Sequence, residues 1–473
     1  MIKIIITTLL SIFLITCAVV VFYWRDAGFD PSKQDLLLYL GLLPLGISAL
    51  VLSPYLLWKF YHYKKNKALQ QQLKKEQEQA ATHDEYQDRQ QAVELLSFQV
   101  FSTALQNAHG ENATLFDKAL ENFSPNLDAQ LVNAQGIALL AHRIEALDEA
   151  LLEQFADEPM SDLQKRVMVL LAQQFNQHIE SIYQIAEHLR QSALFYDREL
   201  AYAYRMHPAW INPDFKAEEV EIALTTAPEV PRLNRLNIHV VLAENMLHLW
   251  DEALSSEYLK NMMFELGVIQ QQVQVEYHYW SAQNAYHKWI ELVQQIQKND
   301  FELSLLLVAD SELDQDLLDD RLWSTQAYVP AEFAASCCIA PAHVQVLNLK
   351  AHKTLNVVLH QNNLAQQLKQ LGLEQLPQYD LEEPCVVIAD DITQVKTIQK
   401  VSKNFAETPI ESYHFLYSRG SLGHSQNLAT IYSFILGLQV SDDKCSLVYS
   451  SDEPTTQVII TAADQQHILS EDL

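Results

Sequence analysis

S-R-G-S-L-G-H-S-Q-N-L-A-T-I-Y-S-F-I-L-G-L, residues Ser418 to Leu438, is the stretch on which the reading of this chain turns. Gly420 and Gly423 make a flexible turn that delivers one histidine, His424. Leu428, Ile431, Tyr432, Ile435 and Leu438 follow at helical spacing, which predicts a buried helix. A histidine held at a turn-to-helix junction can serve as acid, base or hydrogen-bond donor. The plainer alternative is a helix cap with an incidental histidine, and the rest of the chain has to decide between them.

Upstream of this stretch, buried strands alternate with helices. Asn237–Leu242, Val273–Tyr279 and Leu303–Ala309 read as strands, with a helix over Ala282–Ile296. Pro384–Ala389 is a further strand and Gln394–Phe405 a helix, while Ser446–Tyr449 and Gln457–Thr461 close the sheet. Phe98–Leu105 alternates enough for an opening strand, a strand pair brackets Ala331–Leu349, and residues 136–205 read as strongly helical. This alternation specifies an α/β body with both sheet faces covered. No G-x-G-x-x-G, Walker loop or H-E-x-x-H occurs, so no cofactor and no metal is expected from motifs.

The 473 residues carry a formal net charge of −28, unevenly placed. Residues 1–67 hold seven basic and three acidic residues, a balance of +4 that leaves −32 on the remainder. A body that acidic repels phosphate backbones, which argues against nucleic acid as a partner. The cysteines, Cys17, Cys337, Cys338, Cys385 and Cys445, lack C-x-x-C spacing, and vicinal Cys337 and Cys338 read as small buried residues.

At the N-terminus, apolar runs over 4–24 and 36–58 flank a short polar loop, and each is long enough to cross a bilayer. They predict a transmembrane hairpin, residues 1–58. Lys59, Lys64, Lys65 and Lys67 follow the second run and orient it with both termini in the cytoplasm. Residues 59–94, rich in Gln, Lys and Glu, read as a helical stalk. The body then spans 95–465, and 466–473 is a tail.

Four segments of the body, in order, resemble the β-ketoacyl synthase branch of the thiolase superfamily. They are Val100–Asn112, Lys298–Glu312, Val329–Ile339 and Arg419–Leu438. The resemblance implies a thiolase-like domain of two pseudo-repeated halves, 95–300 and 301–465, with buried sheets covered by helices. It also implies dimerisation through Leu303–Ala309. The family's nucleophilic cysteine position falls near Ala282, within Trp280-Ser281-Ala282-Gln283. One of its two histidines is replaced at Ala389 or Asp390, its lysine becomes Arg419, and its second histidine is His424. Its glycine-rich loop has become Pro330-Ala331-Glu332-Phe333, where the large Phe333 alters the cavity. A methyl group cannot attack a thioester, and a carboxylate repels an oxyanion. The expectation is a pseudoenzyme in which His424 is a structural remnant.

With its two N-terminal spans, the chain also resembles the accessory subunit of the type VI secretion membrane complex of Acinetobacter. That resemblance implies a bacterial inner-membrane scaffold with a cytoplasmic body, whose partner is the large inner-membrane core subunit. Two alternatives stay open: an acyl-binding or acyl-transfer protein using Ser281 beside His424, and a membrane-anchored regulator. Asp310, Glu312, Asp314, Asp316, Asp319 and Asp320 read as a solvated acidic face, and Glu276–Trp280 as an aromatic sheet edge or a partner hot spot.

Overall fold

The computed structural model describes residues 17–26, 28, 92–115, 124–133, 135–155, 160–211, 229–321, 328–361, 363–373, 386–390, 395–405, 411, 415–422, 427–450, 453 and 455–463. It forms two compact units, Met1–Gln91 and Ala92–Leu473. In the first, residues 17–26 are helical and expose Val19, Val21, Phe22 and Tyr23. Among the described residues no helix is long and apolar enough to cross a membrane. Most of the expected span 4–24, all of 36–58, and Lys59, Lys64, Lys65 and Lys67 lie outside the described residues.

The body opens with strand β1 (Glu94–Asn107) and the short β2 (Gly110–Glu111), then a hairpin of β3 (Asn126–Val132) and β4 (Ala138–Ala141). Helices α1 (Ala146–Gln154), α2 (Asp162–Asn176), α3 (Ile179–Tyr196) and α4 (Arg198–Arg205) follow. Next come β5 (Arg235–Ala243), α5 (Glu252–Glu265), β6 (Val273–Trp280), α6 (Ala285–Gln297), β7 (Glu302–Ser311), α7 (Gln315–Arg321) and β8 (Glu332–Pro341). The last third holds β9 (Lys353–Leu359), α8 (Leu364–Gln370), β10 (Val386–Ala389), α9 (Val395–Asn404), β11 (Leu416–Tyr417), α10 (Ala429–Leu438), β12 (Ser446–Tyr449) and β13 (Gln457–Ala462).

The sheet contains an internal repeat. Its strand order is β11-β10-β12-β13-β9-β1-β8-β7-β5-β6. Numbered by order of appearance within β1 and β5–β8, the spatial order from the free edge is third, second, fourth, fifth, first. The set β9–β13 has the same order. Directions repeat too: β5 runs parallel to β6 and β7, and β10 parallel to β11 and β12. The fifth strands, β8 and β13, are antiparallel to both their neighbours within each set. The halves join where β1 pairs with β9. The repeat therefore divides between β8 and β9, within 342–352, because β7 and β8 complete the first set; residue 300 is not the divide.

Alternation of side chains sorts the layers. Phe333, Ala335, Cys337 and Ile339 of β8, Leu355 and Val357 of β9, and Val458 and Ile460 of β13 share one core with α6 and α10. The opposite face of the first half packs on α1–α5, and that of the second half on α8 and α9. One continuous sheet thus carries helices on both faces, with α6 and α10 as the middle helices on the face that the two halves share. The two middle helices are equivalent in the repeat, since each follows the third strand of its half. Every residue of α10 is buried, which its apolar sequence on all sides requires. Trp289 of α6 meets Phe434 of α10 edge-on at 5.1 Å. Gly437 lets α10 approach the second half closely, because a Cβ there would lie 2.8 Å from Val448 Cγ2.

Local chemistry sets several helix starts. Ser161 and Gln164 form a capping box on α2, and Asp197, Asp251 and Asn363 cap α4, α5 and α8. In β1 the register with β8 shifts between Val100 and Ser102. This bulge sends Phe101 to the outer core while Val100 and Leu105 stay in the inner one.

Three expectations need correction. The segment read as helical from residue 136 begins with β4, whose pairing with β3 overrides its leucine- and alanine-rich composition. Instead of a strand pair within Ala331–Leu349 there is one strand, β8. The next strand, β9, begins at Lys353, after a connection containing Asn348 at φ 60°. Leu303–Ala309 cannot be a dimer strand, because β7 is paired on both sides, by β5 and β8. Among the described residues the free edge of that half is β6.

Candidate functional site

The N-terminal turns of the two middle helices meet. β6 ends at Trp280, and Ser281–Asn284 turn into α6. Asn284 Oδ1 accepts from Ser281 N at 3.0 Å, and Ser281 O accepts from the amides of Asn284 and Ala285. The Ala282 amide donates to Asn427 Oδ1 at 3.3 Å, on the turn that enters α10. The nucleophile position inferred from sequence is therefore where the two halves touch. His424, three residues before Asn427, lies outside the described residues.

Asp390 and Arg419 are also brought together. Asp390 directly follows β10 and is almost fully buried. Its carbonyl accepts from the Arg419 amide at 3.3 Å, and its Oδ2 accepts from Ser450 Oγ at 3.0 Å. Arg419 lies in the 3-10 turn Ser418–Ser421, which Ser433 of α10 fastens by donating to Ser418 Oγ at 2.6 Å. Beside Asp390 the described residues enclose a cavity of about 10 Å³, the size of a single water.

The Pro330–Phe333 segment has split roles. Phe333 is fully buried and packs edge-on against Tyr432 at 5.2 Å, while the Tyr432 hydroxyl accepts from Asn107 Nδ2 at 2.9 Å. Glu332 points the other way, into the first half. Its Oε1 accepts from Arg166 Nη2 at 2.5 Å and from the Ile144 amide at 2.8 Å. Its Oε2 accepts from Arg166 Nε at 2.9 Å and Ser311 Oγ at 3.1 Å. Arg166 also binds Asp148, and Arg143 bridges Asp148 to Asp128. Burial alone would lower the Arg166 pKa, but the bonds and charges of Glu332 and Asp148 outweigh it and raise it. Burial likewise works to raise Asp128, yet Arg143 and two backbone amides hold it below the usual carboxylate range. The network borders a cleft of about 600 Å³ lined by Leu131, Arg143, Asp148, Lys165, Arg166 and Asp314.

The acidic run beginning at Asp310 is not wholly a solvated face. Asp310 and Glu312 are buried at the end of β7, where Glu312 accepts from the Tyr328 hydroxyl at 2.6 Å. Cys337 and Cys338 are buried on opposite faces of β8; burial raises both thiols, Cys338 to about 12. None of Ala282, Asp390 and Arg419 joins a group able to hold a metal among the described residues. The group that does, on β5 and β6, was missed from sequence.

No protein-family model and no curated protein matches this sequence. Solved structures do. The ketosynthase from module 6 of the bacillaene synthase of Bacillus subtilis is 9% identical, with a TM-score of 0.43 over 77% of this chain and 72% of that one. An AntDE:AntF complex, a type II polyketide acyl-carrier protein with its ketosynthase, is 12% identical, with a TM-score of 0.39 over 78% and 100%. The 3-oxoacyl-(acyl carrier protein) synthase III of Xanthomonas oryzae is 10% identical, with a TM-score of 0.34 over 78% and 99%. The duplicated sheet around two middle helices is what the sequence resemblance implied. The fold is a duplicated α/β sheet with helices on both faces. At these identities and scores, no residue's chemistry carries over from those enzymes to this chain.

Proposed function

We propose that the body is a non-catalytic scaffold, held at a bacterial inner membrane by the hairpin 1–58 and working through protein contacts on its cytoplasmic surface. The observation that carries this reading is the Ala282 amide. At the N-terminus of α6 a condensing enzyme needs a thiolate, which the helix dipole favours, and free amides for an oxyanion. Here the side chain is a methyl group and the amide is occupied by Asn427 from the other half. The buried, high-pKa thiols of Cys337 and Cys338 do not replace it. Exposed Val19, Val21, Phe22 and Tyr23 on helical residues 17–26 suit a lipid-facing surface. On this reading the partner is the large inner-membrane subunit of a type VI secretion complex.

The test is co-purification from detergent-solubilised inner membranes with tagged full-length protein. The scaffold reading expects the core subunit in fixed ratio, unchanged by Ser281→Ala or His424→Ala. Transfer of a labelled acyl group from acyl carrier protein onto the chain, abolished by Ser281→Ala, would overturn it in favour of the acyl-transfer alternative.

A further inference from the structure

β5 and β6 place three ligand-type side chains on one face. His239 and Glu276 are register partners across the parallel pair, and His278 follows two residues along β6. All three share the face of Val241 and Trp280, which join the inner core, while Val275, Tyr277 and Tyr279 pack on the outer one. His239 Nδ1 lies 3.2 Å from His278 Nε2 and 3.4 Å from Glu276 Oε2. One ligand atom from each of the three falls within 4.8 Å of the others. Tetrahedral zinc, with nitrogen and oxygen ligands at about 2.0–2.1 Å, separates its ligand atoms by about 3.3 Å. The two His239 distances match that edge.

We propose that His239 Nδ1, Glu276 Oε2 and His278 Nε2 bind one divalent transition-metal ion of the zinc class, with water completing a tetrahedral shell.

Outer groups orient the carboxylate, as they do around metal sites generally. Gln274 Nε2 donates to Glu276 Oε1 at 2.5 Å, and Arg235 Nη1 in turn donates to Gln274 Oε1 at 2.6 Å. This chain occupies one carboxylate oxygen and leaves the other facing the imidazoles. On the same face, the buried His239 Nε2 and Asn237 Oδ1 have no hydrogen-bond partner among the described residues, which leaves polar atoms for ordered water behind the ion. The Glu276 side chain is 39% exposed, so an ion can enter from solvent. Two histidines and a carboxylate leave one coordination position open, and an ion there would pin the edge strand to its neighbour. The site is independent of the scaffold reading and of the α6 turn.

Full-length protein titrated with zinc by calorimetry, and with cobalt(II) by visible absorption, tests the site. One ion per chain is expected, with the intense cobalt bands of a tetrahedral environment. Glu276→Gln and His278→Ala should each weaken binding about tenfold or more, and Gln274→Ala about tenfold. His287→Ala, on the exposed His287–Glu291 pair of α6, should change nothing. If His278→Ala fails to fold, the isosteric Glu276→Gln decides alone. No binding to folded wild type would overturn the proposal, as would binding that survives Glu276→Gln and falls with His287→Ala.

Discussion

The two halves of the body share one strand order but bury different sets of polar groups at their strand ends. In the first half a guanidinium and a carboxylate are buried together, Arg166 at 4% and Glu332 at 0% side-chain exposure. In the second half short hydroxyls do most of that work: Ser418 with Ser433, Ser446 with the Gly437 carbonyl, and Ser450 with Asp390. The difference follows from the connection between the first and second strands of each half. In the first half it spans residues 108–234 and holds the β3–β4 hairpin and α1–α4; in the second it spans 360–385 and holds α8. A thick cover can bring an arginine from α2 over a buried strand end and supply it with further acids. A thin cover cannot, and a buried charge without such partners is costly.

The sharpest way to break this comparison is Glu332→Ala. It strips Arg166 of its bidentate partner and should cost about 3–5 kcal/mol in urea unfolding. Arg166→Met with Glu332→Leu should recover most of that loss, and if it does not, packing rather than charge holds the site.

A smaller effect belongs to His178, which also lies in the first half. Its ring is buried between Ser102 Oγ at 2.6 Å and Ser336 Oγ at 2.7 Å, and burial lowers its pKa from 6.5 to about 4. Between those values the unfolded chain takes up a proton that the folded chain refuses, so stability falls as pH drops through 6.5 toward 4. The loss between pH 7 and pH 5 is about 2 kcal/mol. In His178→Gln that part of the acid loss should vanish, and an unchanged pH slope would mean that the folded protein protonates the ring. Least costly is Asn427→Ala, which frees the Ala282 amide where the halves meet. It should cost about 1 kcal/mol and show as faster hydrogen exchange at Ala282.

Much of the sheet is legible in the sequence, because most of its strands are short apolar runs and β6 alternates with period two. β12 matches its expected bounds, and β6, β7 and β13 match to within two residues. α10 follows from its periodicity. The β3–β4 hairpin does not, since its strands are short and largely exposed and only the Asn133–Gly136 turn marks it. The juxtaposition of Asp390 with Arg419, and of the Ala282 turn with the turn before α10, was reachable only through the family resemblance. Nothing in the sequence near Glu332 announces its pairing with Arg166, which lies 166 positions away on α2. Glu276 and His278 show the two-residue spacing of one strand face, but His239 joins them only through the register of β5 on β6.

β1 pairs with both β8 and β9, and so belongs to both halves. Its partners are made late: Ser97 bonds Asn356, 259 positions further along. At about 5–20 residues per second, a ribosome takes on the order of ten seconds to a minute to reach them. For that time Leu96, Phe98, Val100 and Phe101 form an apolar strand with neither edge paired. A nascent chain in this condition is a natural client for a holding chaperone, and the gap sets a floor on how soon the body can close.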